Sequence, residues 1–321
     1  MNQLALATAA VAALLLVGCA APAPAPEPTE EPRVAPVIDR DFPDPDLLLV
    51  DGTWYAYATN DAESNVQVAT STDLLEWTAL PDAMPVLPDW VEVGDTWAPD
   101  VAEVGGGYVL YFTAYSTTAF RQCIGVATAT DPAGPFTAIG DDMLVCPSAE
   151  GGAIDASTFV DDDGSRWLLW KNDGNCCRLD TWISVAPLTG DGLALAGEPT
   201  RLVMQDQPWE GDLIEAPTLV KRDGTYVLLY SANAYRSAEY GIGYATAPAL
   251  TGPWTKHDGP WVTTETFDYE LIGPGGQDVV ATGDGEYLAF HGWDDYLTRR
   301  AMFLVPLEWD GSTPSIVLPE P

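Results

Sequence analysis

A pattern recurs five times along this chain: a short apolar run reaches a turn glycine, an aromatic-rich run follows, and a third run ends near a Trp or Phe. The copies pair residues 47–52 with 54–57, 101–107 with 108–113, 158–164 with 167–170, 218–224 with 226–230, and 279–285 with 287–290. Their turn glycines, Gly52, Gly107, Gly164, Gly224 and Gly285, recur at near-constant spacing. Asp-Gly or Gly-Gly between apolar runs accepts the positive φ angles of a tight hairpin. Such a spacing leaves room for four strands per unit, and no long segment has helical periodicity. A single hairpin cannot bury its own apolar face, so repeats of this kind stack radially. The expected fold is all-β, a five-bladed β-propeller. A β-sandwich also has short strands, but it does not require a fixed repeat length.

In a propeller the first strand of each blade lines the central channel, so polar residues just ahead of those strands share one cavity. The sequence puts acids there: Asp44 in Phe-Pro-Asp-Pro, Asp100 in Trp-Ala-Pro-Asp, Asp155 in Ile-Asp-Ala, Glu215 in Ile-Glu-Ala-Pro, and Asp278 after Gln277. Read this way, all five fall at one register of the repeat. Carboxylates gathered in one cleft repel, which keeps at least one protonated near neutral pH and equips it as a general acid. Paired acids are the machinery of glycoside hydrolysis: one protonates the leaving oxygen while the other activates water or attacks directly. Aromatic faces suit sugar rings, and Phe42 and Trp97 are candidates for stacking. Of the two histidines, His291 follows an apolar strand and reads as a core residue.

Taken in order, Phe-Pro-Asp-Pro with Gly-x-Trp-Tyr, Trp-Ala-Pro-Asp, Ile-Asp-x-x-x-Phe-x-Asp-Asp-Asp-Gly, Glu-Ala-Pro and Gly-Pro-Gly-x-Gln resemble glycoside hydrolase family 43 over residues 42–309. That resemblance implies a five-bladed propeller hydrolysing arabinofuranosides or xylosides with inversion. It makes Asp44 the general base, Glu215 the general acid, and Asp155 the residue that raises and orients the acid. Inversion needs the base and acid about 6.5–9.5 Å apart. Arg300 stands where the family places an arginine in the sugar site. Many relatives carry a His that helps hold a central hydrated metal, whereas Gln277 occupies that place here. No cofactor or protein-ligated metal is therefore assigned, a central calcium stays open, and Gln277 is offered to sugar or water. The resemblance favours α-L-arabinofuranosyl linkages of arabinan or arabinoxylan. The alternatives are a β-xylosidase on the same scaffold and a non-catalytic polysaccharide-binding surface protein.

A formal charge of −35, from 13 Lys+Arg against 48 Asp+Glu, leaves no basic surface for nucleic acid and repels acidic sugars. The expected partner is a neutral plant cell-wall polysaccharide or oligosaccharide. Residues 5–17 form an apolar run of signal-peptide length, and Leu16-Val17-Gly18-Cys19 resembles a bacterial lipobox. These features assign residues 1–18 to a signal peptide and Cys19 to lipidation. Residues 19–36 then form an extended Pro/Ala/Glu tether and 37–321 the catalytic propeller. The expected product is an extracellular, monomeric lipoprotein on the outer membrane face. Because Met1-Asn2-Gln3 lacks a basic residue, a secreted form without lipid stays open. Export exposes the other cysteines to an oxidising compartment. Cys123 is expected to pair with Cys146, leaving Cys176 and Cys177 as a vicinal bridge or a free pair.

Overall fold

In the computed structural model three of the expected hairpins close with two residues of positive φ: Asp51-Gly52, Gly105-Gly106 and Asp223-Gly224. The second turn falls one residue earlier than the sequence reading, because Gly107 already opens the next strand. The described residues are 34–319. The expected signal peptide 1–18, Cys19 and all of the expected tether except residues 34–36 lie outside them.

Each hairpin grows into a four-stranded antiparallel sheet, and the sheets follow one another along the chain. The first holds β1 (Asp46–Val50), β2 (Thr53–Ala58), β3 (Gln67–Ser71) and β4 (Thr78–Ala79). The second holds β5 (Val91–Val104), β6 (Gly107–Ser116), β7 (Arg121–Ala129) and β8 (Thr137–Ala138). The third holds β9 (Ala153–Val160), β10 (Arg166–Asn172), β11 (Trp182–Pro187) and β12 (Thr200–Met204). The fourth holds β13 (Ile214–Arg222), β14 (Thr225–Ala232), β15 (Gly241–Ala247) and β16 (Thr255–Lys256). The fifth holds β17 (Ile272–Ala281), β18 (Glu286–Trp293), β19 (Arg300–Asp310) and β20 (Thr313–Ile316). First strands touch in a ring, β1 on β5, β5 on β9, β9 on β13, β13 on β17, and β17 back on β1. The molecule is a five-bladed β-propeller.

Period-2 alternation makes each blade apolar on both faces, so every blade is glued to two neighbours. In β14, Leu228 and Tyr230 face the third blade while Val227 and Leu229 face the fifth. Each such fully buried side chain stabilises the ring by roughly 1.5–3 kcal/mol. Between the first two blades lie Tyr57, Met84, Leu110 and Phe112, and between the fifth and first lie Trp54, Leu74, Val280 and Ala289.

Residues 37–42 seal the ring. The Val37 N–H donates to the Met302 carbonyl at 2.9 Å, Met302 donates back to Ile38 at 3.1 Å, and the Phe42 N–H donates to Arg300 at 2.8 Å. This segment lies along β19 of the last blade. It carries Phe42 into the core with no exposed surface, beside Ile38, Ala58 and Met302. Phe42 is thus a packing residue and not the sugar platform that its place in Phe-Pro-Asp-Pro suggested. A disulfide joins Cys123 on β7 to Cys146 ahead of the third blade, and Cys176 is bonded to Cys177 in a short 3-10 turn after β10.

Candidate active site

In all five blades the innermost strand carries two residues where its neighbour carries one. The first residue of each bulge has positive φ: Asp44 (56°), Ala98 (41°), Asp155 (57°), Ala216 (50°) and Gly276 (58°). A bulge of this kind twists the strand and re-aims side chains. Only glycine adopts this backbone without strain, and non-glycine residues held there mark sites that the surrounding structure over-determines. At Gly276 even a methyl group is excluded, since a Cβ would sit 2.7 Å from Asp44 Oδ1 and 2.6 Å from His291 Nδ1.

The bulges correct the expectation of a single register. Asp44 and Asp155 are bulge residues, Glu215 sits one position earlier, and Asp46, Asp100 and Asp278 sit two positions later. Asp44, Asp155 and Glu215 nevertheless line one cavity of about 430 Å³, together with Trp97, Lys171, Tyr240, Gln277 and Arg300.

Asp44 is built as an anion. Its Oδ1 lies 3.5 Å from Arg300 Nη1 and 3.2 Å from His291 Nδ1, and its Oδ2 accepts from the Thr59 hydroxyl at 2.6 Å. Burial acts to raise its pKa, but the Arg300 guanidinium first, with the Thr59 hydroxyl, holds the carboxyl well below the usual range. The Asp44 N–H donates to His291 Nδ1 at 3.1 Å, and burial lowers the pKa of that imidazole, which favours its neutral form. Asp155 is the opposite case. Burial first, then the neighbouring Glu215 carboxylate, pushes it up to about 8. Glu215 accepts from Tyr240 Oη at 2.8 Å on one oxygen and from Lys171 Nζ at 3.3 Å on the other. One proton is therefore retained by the Asp155–Glu215 pair near neutral pH, beside a site where Asp44 has already lost its own.

Other sequence candidates divide. Trp97 lines the cavity, and the Arg300 guanidinium lies 5.2 Å from the Tyr235 ring and 5.4 Å from Trp293. Gln277 reaches the cavity wall, but its amide is engaged at both ends, accepting from Ser231 Oγ at 2.8 Å and donating to the Ala216 carbonyl at 2.5 Å. His291 is buried as expected, yet its Nδ1 faces Asp44. Lys171, Tyr240 and Thr59 escaped the sequence reading. Lys171 left a trace, a charge closing the apolar run Trp167-Leu168-Leu169-Trp170 in a chain poor in cations.

The sequence profile of glycosyl hydrolases family 43 matches residues 34–314. The chain belongs to that family. A β-D-galactofuranosidase of Aspergillus niger is 29% identical over 80% of this chain and 75% of its own length. The extracellular endo-α-(1→5)-L-arabinanase 1 of Bacillus subtilis is 27% identical over 85% of this chain and 86% of its own. The crystal structure of a thermostable family-43 glycoside hydrolase superposes with a TM-score of 0.77 at 26% identity, covering 88% of this chain and 95% of that one.

Around the axis this glycoside hydrolase links its blades through carboxylates. Asp278 Oδ2 accepts from the Leu47 N–H at 3.1 Å, Asp46 Oδ2 from Val101 at 2.8 Å, and Asp100 Oδ2 from Thr158 at 2.9 Å. One oxygen of each is spent on an amide and Gln277 is engaged, while the buried Asp100 Oδ1 has no partner, a single orphaned atom that does not make a ligand set for a directly bound cation. Among the described residues no group of three His, Cys, Asp or Glu is placed to hold one.

These aspartates keep their protons to higher pH than free carboxyls do. Burial, then Asp100 and Asp278, raises Asp46 well above the carboxylate range, and burial takes Asp100 up to about 7 and Asp278 up to about 6. The unfolded chain releases the same protons near about pH 4. The stability they contribute is full below that pH and is lost as the pH rises through their folded values. Asp44 has the reverse sign: its contribution is present above about pH 4 and is lost only in stronger acid. The melting temperature of the hydrolase should accordingly fall by on the order of 5 °C between about pH 5 and about pH 8. A flat or rising value by calorimetry across that interval would mean that the inner aspartates are ionised in the fold.

Proposed function

We propose that the hydrolase cleaves α-L-arabinofuranosyl linkages of arabinan or arabinoxylan with inversion. The observation that carries this reading is the pair of opposite protonation states in one cavity: Asp44 stripped of its proton by Arg300 and Thr59, and the Asp155–Glu215 pair keeping one. Asp44 takes a proton from water as that water attacks the anomeric carbon. Glu215 gives the single proton held by the pair to the departing glycosidic oxygen, and Asp155, which shares that proton in the resting site, orients the acid. Trp97 and Arg300 contact the sugar.

The Bacillus relative's named activity supports arabinan, and the Aspergillus relative supports a second furanoside. α-L-Arabinofuranose and β-D-galactofuranose share a ring configuration and differ in the length of the arm on C4, so a pocket for one can admit the other. We further propose export under the signal peptide 1–18, anchoring through lipid on Cys19, and action as a monomer on neutral plant polysaccharide. The word "extracellular" in the Bacillus relative's name supports export.

One set of incubations tests the reading: linear arabinan, arabinoxylan, and aryl α-L-arabinofuranoside, β-D-galactofuranoside and β-D-xyloside, with the first-formed anomer followed by NMR. Arabinose released in the inverted configuration is expected. Turnover of the xyloside alone would replace the furanoside reading, and a retained anomer would remove inversion.

A further inference from the structure

Facing each bulge, the second strand of the blade presents one residue at an equivalent register: Thr59, Thr113, Lys171, Ser231 and His291. Thr113 pairs with Trp97, Lys171 with Ile154, Ser231 with Glu215 and His291 with Gly275, while the Thr59 N–H donates to Pro43. In four blades this side chain has the same task. It accepts the bulge N–H of the next blade, Thr59 from Ala98 at 2.9 Å, Thr113 from Asp155 at 3.1 Å, Ser231 from Gly276 at 3.0 Å, and His291 from Asp44 at 3.1 Å.

Lys171 breaks the rule, because an ammonium has no lone pair with which to accept. In its place Asp155 Oδ2 takes the Ala216 N–H at 2.9 Å. Lys171 reaches past the bulge, with a side chain that exposes no surface, to Glu215 Oε2 at 3.3 Å, Asp173 Oδ1 at 3.6 Å and Asn175 Oδ1 at 2.6 Å. Burying a cation costs several kcal/mol unless partners satisfy it, and a hydroxyl at this position meets the blade's structural need in three of the other four copies. The fold hands this ring contact to Asp155 and puts a positive charge on one carboxylate.

We propose that Lys171 is a positioning residue for Glu215. It fixes Oε2 in place and stabilises the carboxylate that remains once the proton has moved to the leaving oxygen. Asn175, on the turn closed by the Cys176–Cys177 disulfide, anchors the ammonium from the far side. This role rests on Glu215 being the acid. The other titratable groups around Glu215 are Asp155 on β9, Asp173 after β10, Tyr240 before β15, His291 on β18, and Asp44 ahead of β1. Three of these are carboxyls, so Lys171 is the cation in hydrogen-bond reach that offsets them.

The test is the pH profile of kcat/KM in Lys171→Met, Lys171→Arg and Asn175→Ala, each checked for a native circular dichroism spectrum. Removing the cation disfavours the Glu215 carboxylate, so the basic limb should move up by about one pH unit in Lys171→Met. kcat should fall about 10- to 100-fold, most for poor leaving groups, because the acid is weaker and less well held. Lys171→Arg should keep the limb at its wild-type position. Asn175→Ala, a change at an exposed loop residue, should move it the same way by less, and it decides the matter if the Met variant does not fold. A basic limb that stays put in the folded variants, whatever happens to kcat, overturns the proposal. A failure of the acid assignment would look different: Glu215→Ala would then show no dependence on the leaving group.

Discussion

Replacing Asp44 by Asn should lower kcat by about 10³- to 10⁴-fold on every substrate, activated or not. The substitution is nearly isosteric, and the amide can still accept from Thr59, so the loss is chemical: an amide cannot take a proton from water. Because Asp44 acts on the nucleophile, changing the leaving group should not restore the rate. The acidic limb of the kcat/KM profile should vanish with it, since the group that must be ionised is gone. Recovery of more than about a tenth of wild-type activity with an aryl glycoside of an acidic phenol would remove Asp44 from the role of base.

Glu215→Ala should show the complementary pattern. For natural glycosidic linkages the alkoxide leaving group needs protonation, and the loss should again reach about 10³-fold or more. For a glycoside of a strongly acidic phenol little protonation is needed, and the loss should shrink to about tenfold. A plot of log kcat against the pKa of the leaving phenol should therefore be much steeper in the variant than in the wild type. Equal losses across the series would reassign the acid, with Asp155 as the next candidate, because burial and Glu215 together raise it to about 8 in the resting site.

The ring was legible in the sequence because it is written in local terms. Asp-Gly turns accept positive φ, and alternating side chains such as Val227 to Tyr230 have an apolar neighbour on each face. The three acids were legible by motif and by recurrence. Their true register was not, because a bulge adds one residue without disturbing the apolar alternation on either side, so Asp44, Glu215 and Asp100 read as equivalents. Lys171 was hidden for a related reason. Its significance is a departure from Thr59, Thr113, Ser231 and His291, and those five residues cannot be aligned until the bulges are placed. Phe42 was misread because adjacency to Asp44 in the chain is not adjacency in space: the segment turns inward along β19 before the bulge turns Asp44 toward the cavity.

Residue 300 serves two ends at once, its carbonyl holding the Phe42 amide in the seam while its guanidinium lies against Asp44. The earliest part of the propeller to leave the ribosome thus waits for almost the last before it acquires either a partner strand or a counter-ion. A nascent or truncated chain lacking the fifth blade leaves Asp44 without the cation that keeps it ionised, so catalytic competence arrives only with closure of the ring.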